Sequence, residues 1–69
     1  MPLTMANTGE TNTIRKVIGQ DEVRQHLTEL GFVIGENITV VSKIGGNMIL
    51  TIKNSRIALD NTMTNRILV

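Results

Sequence analysis

Three side chains in the first half of the sequence have the types and spacing of a metal-binding group. His26 is the only histidine, Glu22 precedes it by four residues and Glu29 follows it by three. On an α-helix these spacings place side chains on a common face. Imidazole nitrogen and carboxylate oxygen together can bind Fe(II) or another divalent metal ion. The competing interpretation, which we favour, is a half-buried surface histidine near two solvated carboxylates.

The other chemistry-bearing residues have local explanations. Glu10, Asp21 and Asp60 are far apart in the sequence, and each stands at a predicted turn or helix start, where a carboxylate acts as a cap. Gly45-Gly46 is not followed by the Gly-Lys-Ser/Thr of a phosphate-binding loop, and no nucleophile is paired with a base in recognisable form. We therefore expect neither enzymatic activity nor catalytic residues.

Composition narrows the class of protein. The 69 residues support one domain with a compact core, so we expect residues 1–69 to form a single domain. Because no cysteine is present, a disulfide framework and a thiolate zinc site are excluded. Seven Lys and Arg residues, scattered rather than clustered, against six Asp and Glu give a net charge of +1. This balance, with a single aromatic residue, argues against a nucleic-acid partner.

No targeting segment is recognisable in the sequence. Residues 1–13 lack the basic and apolar regions of a secretory signal, and no apolar stretch approaches the length of a membrane span. We expect a cytoplasmic protein with no direct membrane insertion.

The segment that carries the histidine has the pattern of a short amphipathic helix, predicted over Asp21–Leu30. Its apolar residues recur at the spacing of one helical face: Val23, Leu27 and Leu30. Gly31 suits the positive φ that ends a helix, and Gly35 marks a second turn. Between them, Phe32 is the only aromatic residue, and we expect it to fasten the helix to a sheet.

The rest of the chain favours strands. Residues 11–18 predict one strand, and from Asn37 onward the alternation predicts a meander of three antiparallel strands. A two-residue Gly45-Gly46 turn would place the apolar rows of the first two strands on opposite faces. A three-residue turn, 45–47, sets Ile44 opposite Met48 and points both rows inward, so we predict the three-residue turn.

For the second turn of the meander we predict a two-residue Asn54-Ser55 loop, which sets Leu50 opposite Leu59. Asp60 is placed to cap a single helical turn, after which residues 66–69 return to strand character. The fold class predicted is mainly β with one short α-helix. We expect a small SH3-like barrel of about five antiparallel strands, because closure protects strand edges.

This register leaves Val41 and Ile49 pointing away from the core. Single exposed apolar residues are ordinary, whereas a patch of them marks a contact surface. We predict a partner-binding surface formed by five residues: Val33, Ile34, Val41, Ile49 and Leu68. Exposed apolar positions and strand edges also make a homo-oligomer reasonable.

Several short fragments, in this order and spacing, resemble the FeoA family of small cytosolic proteins of bacterial ferrous iron transport. They run nearly from end to end: Met1–Leu3, Gly9-Glu10, Asp21–Leu27, Leu30–Glu36, Gly45–Asn47, Ser55–Asp60 and Asn65–Val69. The sequence departs from common members at two turns, with Thr8 where proline is frequent and Asn54 where glycine is frequent.

The resemblance implies an SH3-like barrel and an accessory function. Such a protein would bind the cytosolic part of a FeoB-type membrane transporter of ferrous iron rather than catalyse a reaction. The alternative is a divalent-metal-responsive sensor domain that binds Fe(II) or another transition metal ion directly, since a similar fold occurs in metal-dependent repressors. The family has no agreed catalytic residues to carry over to this chain.

Overall fold

The computed structural model describes residues 1–69. Six strands, two helices and a 3₁₀ turn follow one another in this order: a 3₁₀ turn Leu3–Met5, β1 Thr11–Thr13, β2 Lys16–Val17, α1 Asp21–Glu29, β3 Asn37–Ile44, β4 Asn47–Ile52, β5 Ser55–Asp60, α2 Asn61–Thr64 and β6 Ile67–Leu68. Strands β1, β3, β4 and β5 form an antiparallel sheet in the order β1-β3-β4-β5, and β2 pairs with β6 in a second sheet. The prediction of a mainly β fold is confirmed, with the strands arranged as two sheets.

The core combines one face of the larger sheet with residues from α1 and the segment after it. Its members are aliphatic apart from one phenylalanine, as the composition predicted: Leu3, Ala6, Ile14, Leu27, Phe32, Ile38, Val40, Met48, Leu50, Ile52, Leu59 and Ile67. No buried side-chain nitrogen or oxygen lacks a hydrogen-bond partner. The buried polar side chain of Thr64 donates a hydrogen bond to the Asp60 carbonyl, so the largely apolar interior is free of unpaired polar groups, as stable cores require.

The predicted helix and its C-terminal end are confirmed. Leu27 is fully buried, and Leu30 follows the last helical residue as the C-cap. Gly31 has φ +106°, a conformation that glycine adopts without a steric penalty. The chain reverses there, and the Phe32 N–H donates to the Leu27 carbonyl at 2.9 Å. Phe32 is thereby fixed in the core with none of its surface exposed.

The prediction of one strand over residues 11–18 is wrong, because the chain changes sheets within this stretch. β1 pairs with β3, whereas β2 pairs with β6. Between them lies Ile14, a core residue whose N–H donates to the Glu36 carbonyl at 2.9 Å, while the Arg15 N–H donates to the Leu68 carbonyl at 2.8 Å. The imperfect alternation in this stretch reflects the transfer from one sheet to the other.

The predicted three-residue turn between β3 and β4 is also wrong. Ile44 pairs with Asn47 across a two-residue turn, Gly45-Gly46, and the register shifts between Val40 and Ser42. The extra residue, Val41, forms a β-bulge, which changes the parity of the strand by one residue. Val40 and Leu50 can therefore both face the core despite the short turn, whereas Ile44 beyond the bulge is exposed.

The second turn of the meander is a two-residue loop, but it is Lys53-Asn54 rather than Asn54-Ser55. Ile52 pairs with Ser55, and both loop residues have positive φ, 50° for Lys53 and 65° for Asn54. Positive φ at both central residues is the signature of a type I′ turn, whose twist matches that of the strands. The register differs by two residues from the prediction, so Leu59 still faces inward.

The predicted cap at Asp60 is confirmed. Its Oδ1 accepts hydrogen bonds from the Met63 N–H at 3.0 Å and from the Thr62 hydroxyl at 2.6 Å. These hydrogen bonds, the one from Thr62 first, hold the pKa of Asp60 below its ordinary value. After α2 the chain returns as β6, and the terminal ammonium of Met1 donates to the Val69 carbonyl at 2.8 Å.

Replacing Lys53 by Asn should stabilise the protein. Asparagine is better tolerated than lysine at positive φ because its short polar side chain can hydrogen-bond to the local backbone, so we expect a gain of up to about 1 kcal/mol, which is roughly 4–8 °C in Tm for a domain of this size. The matched control is Lys53→Ala, which also removes the lysine side chain but supplies no polar group to hydrogen-bond the local backbone. If Asn is no more stable than Ala in thermal unfolding, the turn assignment is wrong.

Acid should weaken the Asp60 cap. Folding lowers the pKa of Asp60, so its carboxylate stabilises the protein fully at pH values above its pKa in the unfolded chain. This stabilisation is lost as the pH falls through the lower pKa of the folded protein. Asp60→Asn retains a capping side chain that does not titrate. Urea unfolding at about pH 7 and about pH 2 should therefore show a larger acid loss in the wild type than in the variant; parallel losses would contradict the cap's role.

Candidate docking surface

The turn after α1 is held at its base by backbone hydrogen bonds. The Gly35 N–H donates to the Ile14 carbonyl at 2.8 Å, and the Ile14 N–H donates to the Glu36 carbonyl at 2.9 Å. Within the turn, the Glu36 N–H donates to the Val33 carbonyl at 3.1 Å. Val33 is half-buried, whereas Ile34 has 70% of its surface exposed. An apolar side chain thus projects from a firmly anchored stretch of backbone.

An open groove of about 350 Å³ lies between this turn and α1. Eight residues line it: Val17, Asp21, Arg24, Gln25, Thr28, Phe32, Val33 and Ile34. Half of them are apolar and come from β2 and the turn, whereas the polar half comes from α1. A surface of this kind offers an apolar contact on one side and hydrogen-bonding groups on the other.

The polar wall of the groove is a stripe of α1 that the sequence analysis missed. Asp21, Arg24, Gln25 and Thr28 are spaced as i, i+3, i+4 and i+7, so they share one face of the helix. Arg24 forms an ion pair with Asp21, and the Thr28 hydroxyl donates to the Arg24 carbonyl at 2.8 Å. The same helical period that identified the apolar stripe could have identified this neighbouring one.

The five predicted partner-binding residues are divided by the groove lining, which includes two of them. Val33 and Ile34 line the groove together, whereas the groove lining includes none of the other three. Val41 and Ile49 are half-buried at the bulge of the larger sheet, and Leu68 is half-buried in β6 of the smaller sheet. The bulge at Val41, which the sequence did not reveal, changes which residues of β3 face outward.

The candidate metal ligands all lie on the exposed surface of α1. His26 is exposed rather than half-buried as predicted, because it lies beside the buried stripe and not within it. Glu22 and Glu29 are exposed as well, and Glu29 accepts a 3.5 Å hydrogen bond from the Gln25 side chain. No group of three or more His, Asp or Glu side chains is arranged to hold a metal ion. Glu22 and Glu29 each lie one helical turn from His26 and are its potential co-ligands.

Neither helix has the length and apolar character that crossing a lipid bilayer requires.

Comparison with known proteins assigns both a family and a fold. The family model described as FeoA domain matches residues 1–69. No curated protein matches the sequence. Iron(II) transport protein A from Clostridium thermocellum has a similar structure, with a TM-score of 0.92 and 27% identity over 99% of this chain and 43% of that one.

Two further structures are similar. The FeoA protein of Stenotrophomonas maltophilia in complex with zinc gives a TM-score of 0.87 and 26% identity over 99% of this chain and 87% of that one. It is described as a prokaryotic SH3 domain protein, with a suggested role as a ferrous iron transport activating factor. A manganese-dependent transcriptional repressor shares the fold, with a TM-score of 0.89 and 14% identity over 97% of this chain and 39% of that one. The predicted SH3-like fold is confirmed.

Direct metal binding by α1 makes a defined prediction. If α1 binds Fe(II) directly, saturable binding measured by anaerobic calorimetry should be lost in both His26→Ala and Glu22→Gln, because two exposed ligands are too few to tolerate loss of one. Glu36→Gln is the matched control, since Glu36 lies outside α1. Unchanged binding in His26→Ala would rule out that ligand.

Proposed function

Because this chain belongs to the FeoA family, we propose that it is a cytoplasmic accessory protein of bacterial ferrous iron transport that binds the cytosolic part of a FeoB-type transporter. The groove between α1 and the Val33-Ile34 turn is the proposed docking site. The observation that carries this assignment is the exposure of Ile34 at the rim of a concave surface.

The distribution of exposed apolar residues supports the groove as the docking site. Five large apolar side chains are substantially exposed: Met1, Met5, Ile18, Ile34 and Ile44. Among them, Ile34 is the one that lines the groove. An exposed aliphatic side chain at a concave site gains more from desolvation by a partner than one on a convex surface, since more of its area becomes covered.

The charged residues of α1 that line the groove with Ile34 can orient a bound partner. The Arg24–Asp21 ion pair is solvent-exposed, so by itself it contributes little to stability. Its charges remain available to a partner that brings a carboxylate to Arg24 or a basic group to Asp21. The groove thus fits a short segment of the transporter that combines an apolar side chain with an adjacent charged one.

A second candidate function is direct sensing of a divalent metal ion. The zinc complex of the Stenotrophomonas maltophilia protein favours this alternative. In this chain it would rest on His26 and Glu22, and the calorimetric experiment with His26→Ala tests it separately from transporter binding.

Ile34→Asp should weaken binding to the transporter's cytosolic domain by about tenfold or more, because a charge would have to be desolvated within the contact. The binding is measured by calorimetry or pull-down with the purified domain, with and without guanine nucleotide. The fold should be unaffected, since Ile34 is largely exposed.

The matched control is Ile44→Asp, an equivalent change at a residue that is 61% exposed but lies at the tip of the β3–β4 hairpin. We expect this variant to bind normally. Loss of binding in Ile44→Asp, or in charged variants of Val41 and Ile49, together with normal binding in Ile34→Asp, would place the contact on the outer sheet face and refute the groove assignment.

A further inference from the structure

The outer edge of the larger sheet is β5, a six-residue strand that pairs on one side only. Ile52 and Ser55 flank the two-residue turn, so they form a hydrogen-bonded pair, and the bonded pairs alternate from there along β5. The backbone groups of Ile57 and Leu59 therefore point toward β4. Those of the alternate residues point away from the sheet: Arg56, Ala58 and Asp60.

These edge groups are accessible. All three side chains are exposed, and apart from β4, only the short helix that follows makes extensive contact with β5. The strand contains neither proline nor lysine, the two residues that commonly protect an edge from pairing. At Asp60 the carbonyl accepts a hydrogen bond from the Thr64 hydroxyl, so its N–H is the group left for an incoming strand.

The sequence of this edge is complementary to itself. Arg56 and Asp60 lie two residues on either side of Ala58, and all three point to the outer face of the sheet. If two copies of β5 meet antiparallel about a two-fold axis at Ala58, Arg56 of each copy lies opposite Asp60 of the other. A two-fold axis repeats every contact, so both ends of the strand pair gain an attractive contact between opposite charges.

We propose that β5 pairs with β5 of a second copy of this chain, in antiparallel register centred on Ala58, to join the two four-stranded sheets into one. The two alanines exchange backbone hydrogen bonds at the centre, and the Asp60 N–H of each copy donates to the Arg56 carbonyl of the other. This assignment is independent of transporter binding, because the groove and the edge have no residue in common.

On the inner face of the sheet, the same register also brings matching side chains together. Ile57 lies opposite Leu59 of the second copy, and both are inward-facing aliphatic residues at the rim of the core. Ile57 is only half-buried in the single chain, so pairing covers apolar surface that is otherwise exposed. Shifting the strands by two residues in either direction would place Ala58 opposite a charged residue and leave the charges without partners.

A contact of one strand pair buries less surface than a standard protein interface, so the dimer should be weak. We expect a Kd on the order of 1 mM. Sedimentation equilibrium and NMR diffusion across a dilution series should show a monomer–dimer equilibrium. In a mixed isotope-labelled sample, the non-hydrogen-bonded pair should give an intermolecular NOE between Hα of Ile57 and Hα of Leu59.

Two variants test the register. Arg56→Glu places like charges opposite each other at both ends and should raise the Kd about tenfold. Lys16→Glu, which makes the same change in net charge on β2, should leave the Kd unaltered. Ala58→Pro removes the edge N–H without removing a hydrogen bond to β4 and should abolish pairing. If Ala58→Pro does not fold, Arg56→Glu and the intermolecular NOE still test whether β5 pairs with β5 in this register.

A monomer at every concentration would overturn the proposal. A dimer that is insensitive to both Arg56→Glu and Ala58→Pro would also overturn it, since the contact would then lie elsewhere. Loss of transporter binding in Ala58→Pro without any self-association would assign the edge to a strand of the transporter and likewise refute pairing between copies.

Discussion

The apolar rows of β3 and β4 must face the same core, although the turn that joins the two strands is too short to allow this in an uninterrupted ladder. The extra residue Val41 resolves the conflict by changing the parity of β3 midway. Val40 then faces inward opposite Leu50, while Ile44 at the strand's end is left exposed. Which apolar residues are available on the outer face is therefore a consequence of this bulge.

The attachment of α1 to the sheet determines the groove in a similar way. Gly31 reverses the chain and Phe32 enters the core, so the apolar stripe of the helix is buried against the sheet. The polar stripe beside it has to face the turn that follows, and the hydrogen bonds between this turn and Ile14 anchor the backbone of the apolar wall. The groove is thus produced by the same residues that fasten helix to sheet, and an exposed Ile34 in it does not weaken the core.

Much of the fold follows from local patterns in the sequence. The helix, its end at Gly31, the burial of Phe32 and the cap at Asp60 each depend on residues within one or two turns of one another, and all were predictable. The β3–β4 turn was not, because a bulge changes the parity of a strand without leaving a distinctive residue, and Val41 is an ordinary strand former. The division of residues 11–18 between two sheets depends on contacts with Glu36 and Leu68, which are distant in sequence.

The candidate site was predictable in part for the same reason. Val33 and Ile34 were recognised because two glycines bracket them, which is a local signal. Predicting their association with Arg24 and Thr28 requires knowing which helical face meets the turn, and this is a tertiary property.

In a chain of this size the core takes most of the large aliphatic residues, so few remain for recognition. Binding must then use isolated side chains at concave sites, as at Ile34, or backbone groups at a sheet edge, as in β5. A groove is specific through the shape and charge of its partner, whereas an edge accepts any strand unless its side chains select one. The opposed charges of Arg56 and Asp60 make that selection in β5, because an antiparallel partner matches both only if its basic residue precedes its acidic residue by four positions, as in β5 itself.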